Sequence, residues 1–174
     1  METISLHPEW YALNVRARHE HVVAEYLSQL GQEQFLPVQK TPQNNAGEER
    51  SRGKALFPGY LFCRIDWNSG PKLYTVPGII KVVGAGRTPI PILDAEIEAV
   101  RKIVESGIEV RCISLIVKPN SMVVIKDGPL QGIKGIVISE RNTQSLIVSV
   151  PLLRRSLSVV LDRSWLIPAM HNAA

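Results

Sequence analysis

The sequence predicts two small domains in tandem, an α+β half in which helices cover a sheet, followed by a small all-β barrel. Three observations carry this. Up to about residue 108, strand-like runs alternate with amphipathic helical stripes in the order β-α-β-β-α-β-α, the pattern of a sheet covered by helices. From Pro119 onward the texture changes to five short β-type runs divided by turn signals, with no competing helical period. Between Lys40 and Gly53 there is no apolar side chain larger than alanine, so that stretch cannot bury itself and reads as an exposed loop or hairpin tip. The resulting division is 1–108 for the first domain, a linker over 109–118, the barrel over 119–168 and a tail over 169–174.

The elements follow in order. Trp10 to Val15 is an aromatic and β-branched run and reads as a strand. His19 to Leu30 places Val22, Val23, Tyr26, Leu27 and Leu30 at helical spacing, and Gly31 stands where a helix C-terminal glycine belongs. Phe35 to Val38 is a second strand. Tyr60 to Asp66 is a third, with Leu61, Cys63 and Ile65 on one face and Tyr60, Phe62 and Arg64 on the other. Pro71 to Val76 reads as a short helix stopped by Pro77-Gly78, and Ile79 to Val83 as a fourth strand. Asp94 caps a helix striped by Ile97, Val100, Ile103 and Val104 and ended by Gly107. The barrel runs are Met122–Lys126, Ile133–Ser139, Ser145–Val150, Leu157–Leu161 and Trp165–Ile167, separated by Asp127-Gly128-Pro129, Arg141-Asn142 and Asp162-Arg163.

Composition narrows the class of function. At 174 residues, 45% hydrophobic and 21% charged, the chain falls near globular averages. No run approaches the roughly 18 apolar residues that span a membrane, and the N-terminus lacks the basic start and apolar core of a signal peptide. A cytoplasmic protein with no membrane partner is expected. The net charge of +4 suits contact with nucleic acid or an acidic surface without requiring either. Cys63 and Cys112 have no CxxC spacing and read as small buried hydrophobes. The four histidines, His7, His19, His21 and His171, have no HExxH-type spacing, and neither a phosphate-cradling glycine loop nor a GxSxG elbow is present. No cofactor, metal or catalytic activity is expected.

One segment is unusual on physical grounds. In Gly53-Lys54-Ala55-Leu56-Phe57-Pro58-Gly59-Tyr60-Leu61-Phe62, a Pro-Gly break interrupts a strongly apolar run and large aromatics flank it. An aromatic edge beside an irregular turn suits a docking surface. The plain alternative is that these rings are core residues at a strand start, and the residues alone leave the two level. The segment Leu56-Phe57-Pro58-Gly59-Tyr60-Leu61-Phe62, preceded by Arg52-Gly53-Lys54, resembles the signature of the NusG N-terminal (NGN) domain. Trp10-Tyr11, Val76-Pro77-Gly78-Ile79 and Pro91-Ile92 before the Asp94 helix continue the likeness. Downstream, Val123 to Val137, through Asp127-Gly128-Pro129-Leu130-Gln131-Gly132-Ile133-Lys134-Gly135, resembles a KOW motif of the SH3-like barrel kind. The resemblance spans Trp10 to Ile167.

That resemblance implies a monomeric, non-catalytic transcription factor. Its NGN domain would lay an apolar patch on the clamp helices of the RNA polymerase β′ subunit, suppress pausing and promote antitermination. Carried to matching positions, the patch comprises Tyr60, Phe62, Phe57 and Pro58, with Trp10 and Ile79 beside it. Arg16, Arg18 and His19, where the first strand meets the first helix, are candidates for phosphate or non-template DNA, as in RfaH-like paralogues. Arg52 and Lys54 are candidates of the same kind, and for all five an ordinary solvated charge is the even alternative.

The family's KOW barrel docks other factors, such as Rho or the ribosomal protein also called NusE. Candidate contacts here are Leu130, Ile133, Ile147 and Leu152, on a loop shaped by Asp127, Gly128, Gly132 and Gly135. Housekeeping NusG usually carries phenylalanines after the Asp-Gly-Pro turn, where this chain has Leu130-Gln131-Gly132-Ile133, which argues against Rho binding. The stretches Gly128–Gly135 and Val148–Leu157 are more similar to the UpxY group, specialised antiterminators of polysaccharide operons. The competing readings are a housekeeping NusG and a ribosomal or RNA-binding KOW protein; the latter leaves the α+β half with its Phe-Pro-Gly-Tyr segment without a purpose.

Overall fold

β1 (Glu9–Val15) forms the interior of an antiparallel sheet whose order is β2-β5-β1-β6, where β2 is Gln34–Phe35, β5 is Tyr60–Ile65 and β6 is Ile79–Val82. The structure is a computed structural model and describes residues 7–39, 53–67, 73–113, 122–140, 143–153 and 155–161. Register follows the side-chain alternation. Tyr11 lies opposite Cys63 and Leu13 opposite Leu61, so these share one face, while Ala12 opposite Phe62 and Asn14 opposite Tyr60 share the other. The first face is the core: Tyr11, Leu13, Val15, Leu61, Cys63 and Ile65 cluster with Val23 and Leu27 of α1 (Glu20–Gln29).

The helix ends as its glycine predicts. Gly31 has a φ of 72°, its N–H donates to the Ser28 carbonyl at 3.0 Å, and Gln32 N–H donates to Leu27 O at 2.9 Å, closing the last turn. The expected apolar stripe splits, however. Val23 and Leu27 are buried, whereas Val22, Tyr26 and Leu30 are 40%, 43% and 48% exposed. One residue is about 100° of helical rotation, enough to turn the second row off the sheet.

The expected strand Phe35–Val38 is two pieces that serve different partners. β2 pairs with β5, and β3 (Val38–Gln39) pairs with β4 (Lys54–Ala55). Pro37 lies at the switch, where a residue without an N–H cannot continue a ladder; its carbonyl accepts Leu56 N–H at 2.8 Å. β3 and β4 are thus the stem below the polar stretch, whose 40–52 segment lies outside the described residues. Of the expected helix over 71–76, the described part is a single 3-10 turn, Leu73–Thr75, anchored by buried Leu73. A tight hairpin of β7 (Gly84–Ala85) and β8 (Thr88–Pro89) follows β6, an addition to the elements expected from sequence. A Cβ on Gly84 would overlap the Thr88 carbonyl. In α2 (Asp94–Glu105) Asp94 is the first helical residue and not the cap; Glu96 reaches back to accept the Leu93 N–H at 3.2 Å.

The chain divides into two compact units, Met1–Ile97 and Glu98–Ala174. The second contains a five-stranded antiparallel sheet in the order β10-β11-β12-β13-β9. Its strands are β9 (Val110–Ile113), β10 (Met122–Val124), β11 (Lys134–Glu140), β12 (Thr143–Val150) and β13 (Arg155–Leu161). β9 falls within the stretch read as a linker and pairs Val110 with Val159 and Cys112 with Leu157. The expected strand at 165–167 lies outside the described residues. The fold is therefore α+β in its N-terminal part and β-rich in its C-terminal part.

Candidate functional site

The Pro-Gly break is a closed turn. Tyr60 N–H donates to the Phe57 carbonyl at 2.9 Å, Pro58 occupies the second position and Gly59 the third with φ of 81°, the geometry of a type II turn. Both sides of the Gly59 residue are held. Its N–H donates to Glu20 Oε1 at 2.8 Å, and its carbonyl accepts Asn14 Nδ2 at 3.1 Å and Val15 N–H at 2.9 Å. Glu20, first residue of α1, is 7% exposed. Pro58 is exposed and Tyr60 half-buried at the surface of this turn.

The aromatic neighbours are elsewhere. Phe62 is 0% exposed and Phe57 1%, with Phe62 stacked on Phe35 at 6.1 Å and edge-on to Phe57 at 5.7 Å. Phe57 and Phe62 are therefore core residues and not contact residues, because their rings satisfy one another. Trp10 is likewise buried, opposite Arg64 at the other end of the strand pair. Ile79 lies opposite Val15 and packs against the α1 core, on the far face of the sheet from Tyr60. Of the six expected docking residues, Trp10, Phe57 and Phe62 are buried, Ile79 is half-buried on the opposite face, and Pro58 and Tyr60 remain together at the surface of the turn.

Two other residues join them. Asn14 lies between Tyr60 on β5 and Lys81 on β6, so the three form one row across the sheet, about 10 Å from first strand to last. Lys81 is exposed and Asn14 half-buried. Strict alternation would put Lys81 on the face of Ile79. A bulge at Ile80 inserts one extra residue between the Val15–Ile79 and Asn14–Lys81 pairs and turns Lys81 to the Tyr60 side. No feature of the sequence marks that bulge; Glu20, by contrast, is a helix-start carboxylate that the sequence shows without a partner.

The basic loop is contiguous with this turn through Glu20. Arg16, Arg18 and His19 are all exposed, and Arg16 and Arg18 make no salt bridge among the described residues. His19 N–H closes the loop onto the Arg16 carbonyl at 3.0 Å, and His19 Nδ1 lies 3.1 Å from the Ala17 carbonyl. Arg18 has a φ of 64°, a left-handed conformation that disfavours a side chain. Arg18→Gly is accordingly expected to raise stability by about 0.5–1 kcal/mol. A thermal melt measures this, and a lowered midpoint would mean that the arginine side chain itself supports the fold. Lys54 is exposed on β4, and Arg52 lies outside the described residues. His21 Nε2 donates to the Gly53 carbonyl at 3.0 Å, a structural tie between α1 and the end of the polar stretch.

In the C-terminal unit, Leu130, Ile133 and Ile147 are 0%, 2% and 4% exposed and belong to its core, which corrects their expected place in a partner surface. Apolar residues beside a turn fold under it when the loop is this tight: Gly132 N–H donates to Ile125 O at 2.8 Å and Ile125 N–H to Ile133 O at 3.0 Å. Asp127 Oδ1 accepts the Gly128 N–H at 2.7 Å, and Gly128 and Gly132 have φ of 78° and 84°. Gly135 is buried, and a Cβ there would come within 2.7 Å of the Ile147 carbonyl. The Leu152 side chain lies outside the described residues. Exposed on this loop are Asp127, Pro129, Gln131 and Gly132.

Of the two thiols expected to be buried, Cys63 is buried and Cys112 is half-buried. Burial pushes the Cys63 thiol up to about 12, with the Glu33 carboxylate adding to the shift. Burial also raises the Cys112 thiol, against the lowering effect of Arg155. Among the described residues, no group of three His, Cys, Asp or Glu is placed to hold a metal ion, and no helix is long and apolar enough to cross a membrane.

Comparison with known proteins places these features in a family. The family model for "Transcription termination factor nusG" matches residues 8–101. The "Transcription termination/antitermination protein NusG" of Escherichia coli strain K12 is 29% identical over 150 residues, covering 83% of this chain and 82% of that protein. The protein of the same description from Pseudomonas aeruginosa is 26% identical over 169 residues, covering 89% and 95%. Among solved structures, "Domain interaction in Thermotoga maritima NusG" matches with a TM-score of 0.53 at 20% identity, over 91% of this chain and 95% of that one, a likeness of fold.

Proposed function

Since the chain belongs to the NusG family of transcription termination/antitermination factors, which interact with RNA polymerase, we propose that it binds the β′ clamp helices through the turn Phe57–Tyr60 and thereby suppresses pausing. The observation that supports this most is that Pro58 is exposed and Tyr60 half-buried on a hydrogen-bonded turn while the Phe57 and Phe62 rings behind them are buried. A rigid aromatic anchor over a packed base is the arrangement in which few residues provide most of an interface's energy. Asn14 and Lys81, in the same row, extend the surface with a donor and a cation, which suits a polar rim. Arg16, Arg18 and His19 lie at the edge of this surface as contacts for non-template DNA, a term that weakens with salt.

The subclass reading is an operon-specific antiterminator of the polysaccharide type, working as a cytoplasmic monomer. Its support is the likeness of Gly128–Gly135 and Val148–Leu157 to the UpxY group. With Leu130 and Ile133 buried, any docking of a ribosomal protein such as NusE or of Rho falls to Asp127, Pro129 and Gln131 at the loop surface. Tagged protein is expected to co-purify with RNA polymerase and to occupy a few long operons across the genome. Occupancy of all transcribed genes would assign it the housekeeping task, and co-sedimentation with ribosomal subunits in high salt would overturn the polymerase reading.

A further inference from the structure

We propose that Glu20 is a positioning residue for the docking turn, acting together with Asn14; this rests on the reading that Tyr60 docks polymerase. Glu20 and Ser156 are the buried polar side chains among the described residues, so the carboxylate of Glu20 occupies a site that is costly for a charge without a partner. The Gly59 N–H is that partner, 2.8 Å from Oε1 and 39 residues away in sequence. A hydrogen bond to a carboxylate is shorter and stronger than a neutral one, and here it holds the residue that lies between Pro58 and Tyr60. Glu20 is also in the first turn of α1, where the positive end of the helix dipole favours a carboxylate.

Gly59 is gripped from the other side by Asn14 Nδ2 and Val15 N–H, which share its carbonyl. Neither flanking residue could supply this restraint. Pro58 has no N–H, and the Tyr60 N–H is spent on closing the turn onto Phe57. Glu20 thus holds the Pro58–Gly59 peptide by its N–H and Asn14 the Gly59–Tyr60 peptide by its carbonyl, and the two peptides together set the direction in which the Tyr60 ring leaves the sheet. Loss of the clamp lets the turn populate other orientations, and the apparent affinity for polymerase falls by the fraction of molecules still in the docking-competent one.

The test uses the full chain with RNA polymerase core enzyme as the probe, and reads binding affinity together with hydrogen exchange at the Gly59 amide. Glu20→Ala is expected to lose about tenfold in Gly59 protection and about tenfold in affinity, the scale of one charge-assisted hydrogen bond. Glu20→Gln, whose amide oxygen still accepts from Gly59, is expected to restore both to within about threefold. Asn14→Ala is expected to lose less, about threefold, because Val15 N–H remains on the Gly59 carbonyl; it keeps the proposal testable if Glu20→Ala unfolds. Wild-type affinity in Glu20→Ala, or equal losses in Glu20→Ala and Glu20→Gln, would overturn the positioning assignment. Failure of the docking reading has a separate signature: Tyr60→Ala would bind as wild type while Gly59 protection stayed intact, and the proposal would fall with it.

Discussion

Phe62→Ala is expected to remove about 3–5 kcal/mol of folding stability, a large part of what a domain of this size has. The ring is fully buried, stacked on Phe35 and edge-on to Phe57, so its removal leaves an aromatic-sized cavity and strips two neighbours of their partner at once. Chemical denaturation followed by circular dichroism measures the change; a loss under about 1 kcal/mol would show that the three rings do not form a packed unit. The consequence for function is indirect. A Phe62 variant that no longer binds polymerase has lost its domain, and the same holds for Phe57. Alanine scanning of this segment without a folding control would therefore place the docking surface on the wrong residues.

Tyr60→Ala is the complementary case. Tyr60 is half-buried at the end of the sheet, so truncation is expected to change stability by no more than about 1 kcal/mol. Polymerase affinity is expected to fall by at least about thirtyfold, the ~2 kcal/mol that marks an interface hot spot. Titration of labelled full-length protein with core polymerase reads the affinity, and a melt of the same sample the stability. Undiminished affinity would remove Tyr60 from the interface and leave Pro58 as the sole surface residue of the aromatic segment. Comparing the pair of variants separates two effects that look alike in a pull-down: Phe62→Ala fails by unfolding, Tyr60→Ala by losing contact.

Much of the fold was legible in the residues because the signals are local. Alternation put Leu61, Cys63 and Ile65 on one face and Tyr60, Phe62 and Arg64 on the other, and the register agrees. Gly31 and Gly107 stop their helices with φ of 72° and 70°, and Asp127-Gly128 makes its turn. Where reading from sequence failed, two periods or two partners were possible. The α1 stripe contained two rows one residue apart, and only contact with the sheet chose Val23 and Leu27 over Val22 and Tyr26. An apolar run also cannot say whether its second face is covered, so Phe62 read as surface when its face was enclosed too.

The family, the α+β and β-rich parts, and the turn at Pro58-Gly59 are all written in contiguous residues whose preferences act over a few positions. Which side chains that turn presents depends instead on contacts between distant segments. Glu20 and Asn14 reach Gly59 from 39 and 45 residues away, and the bulge at Ile80 brings Lys81 onto the Tyr60 face against the local alternation. Those placements follow from strand pairing and from which buried polar groups find partners. Such long-range choices are made by the whole sheet and leave no mark on the short stretch of sequence where they take effect.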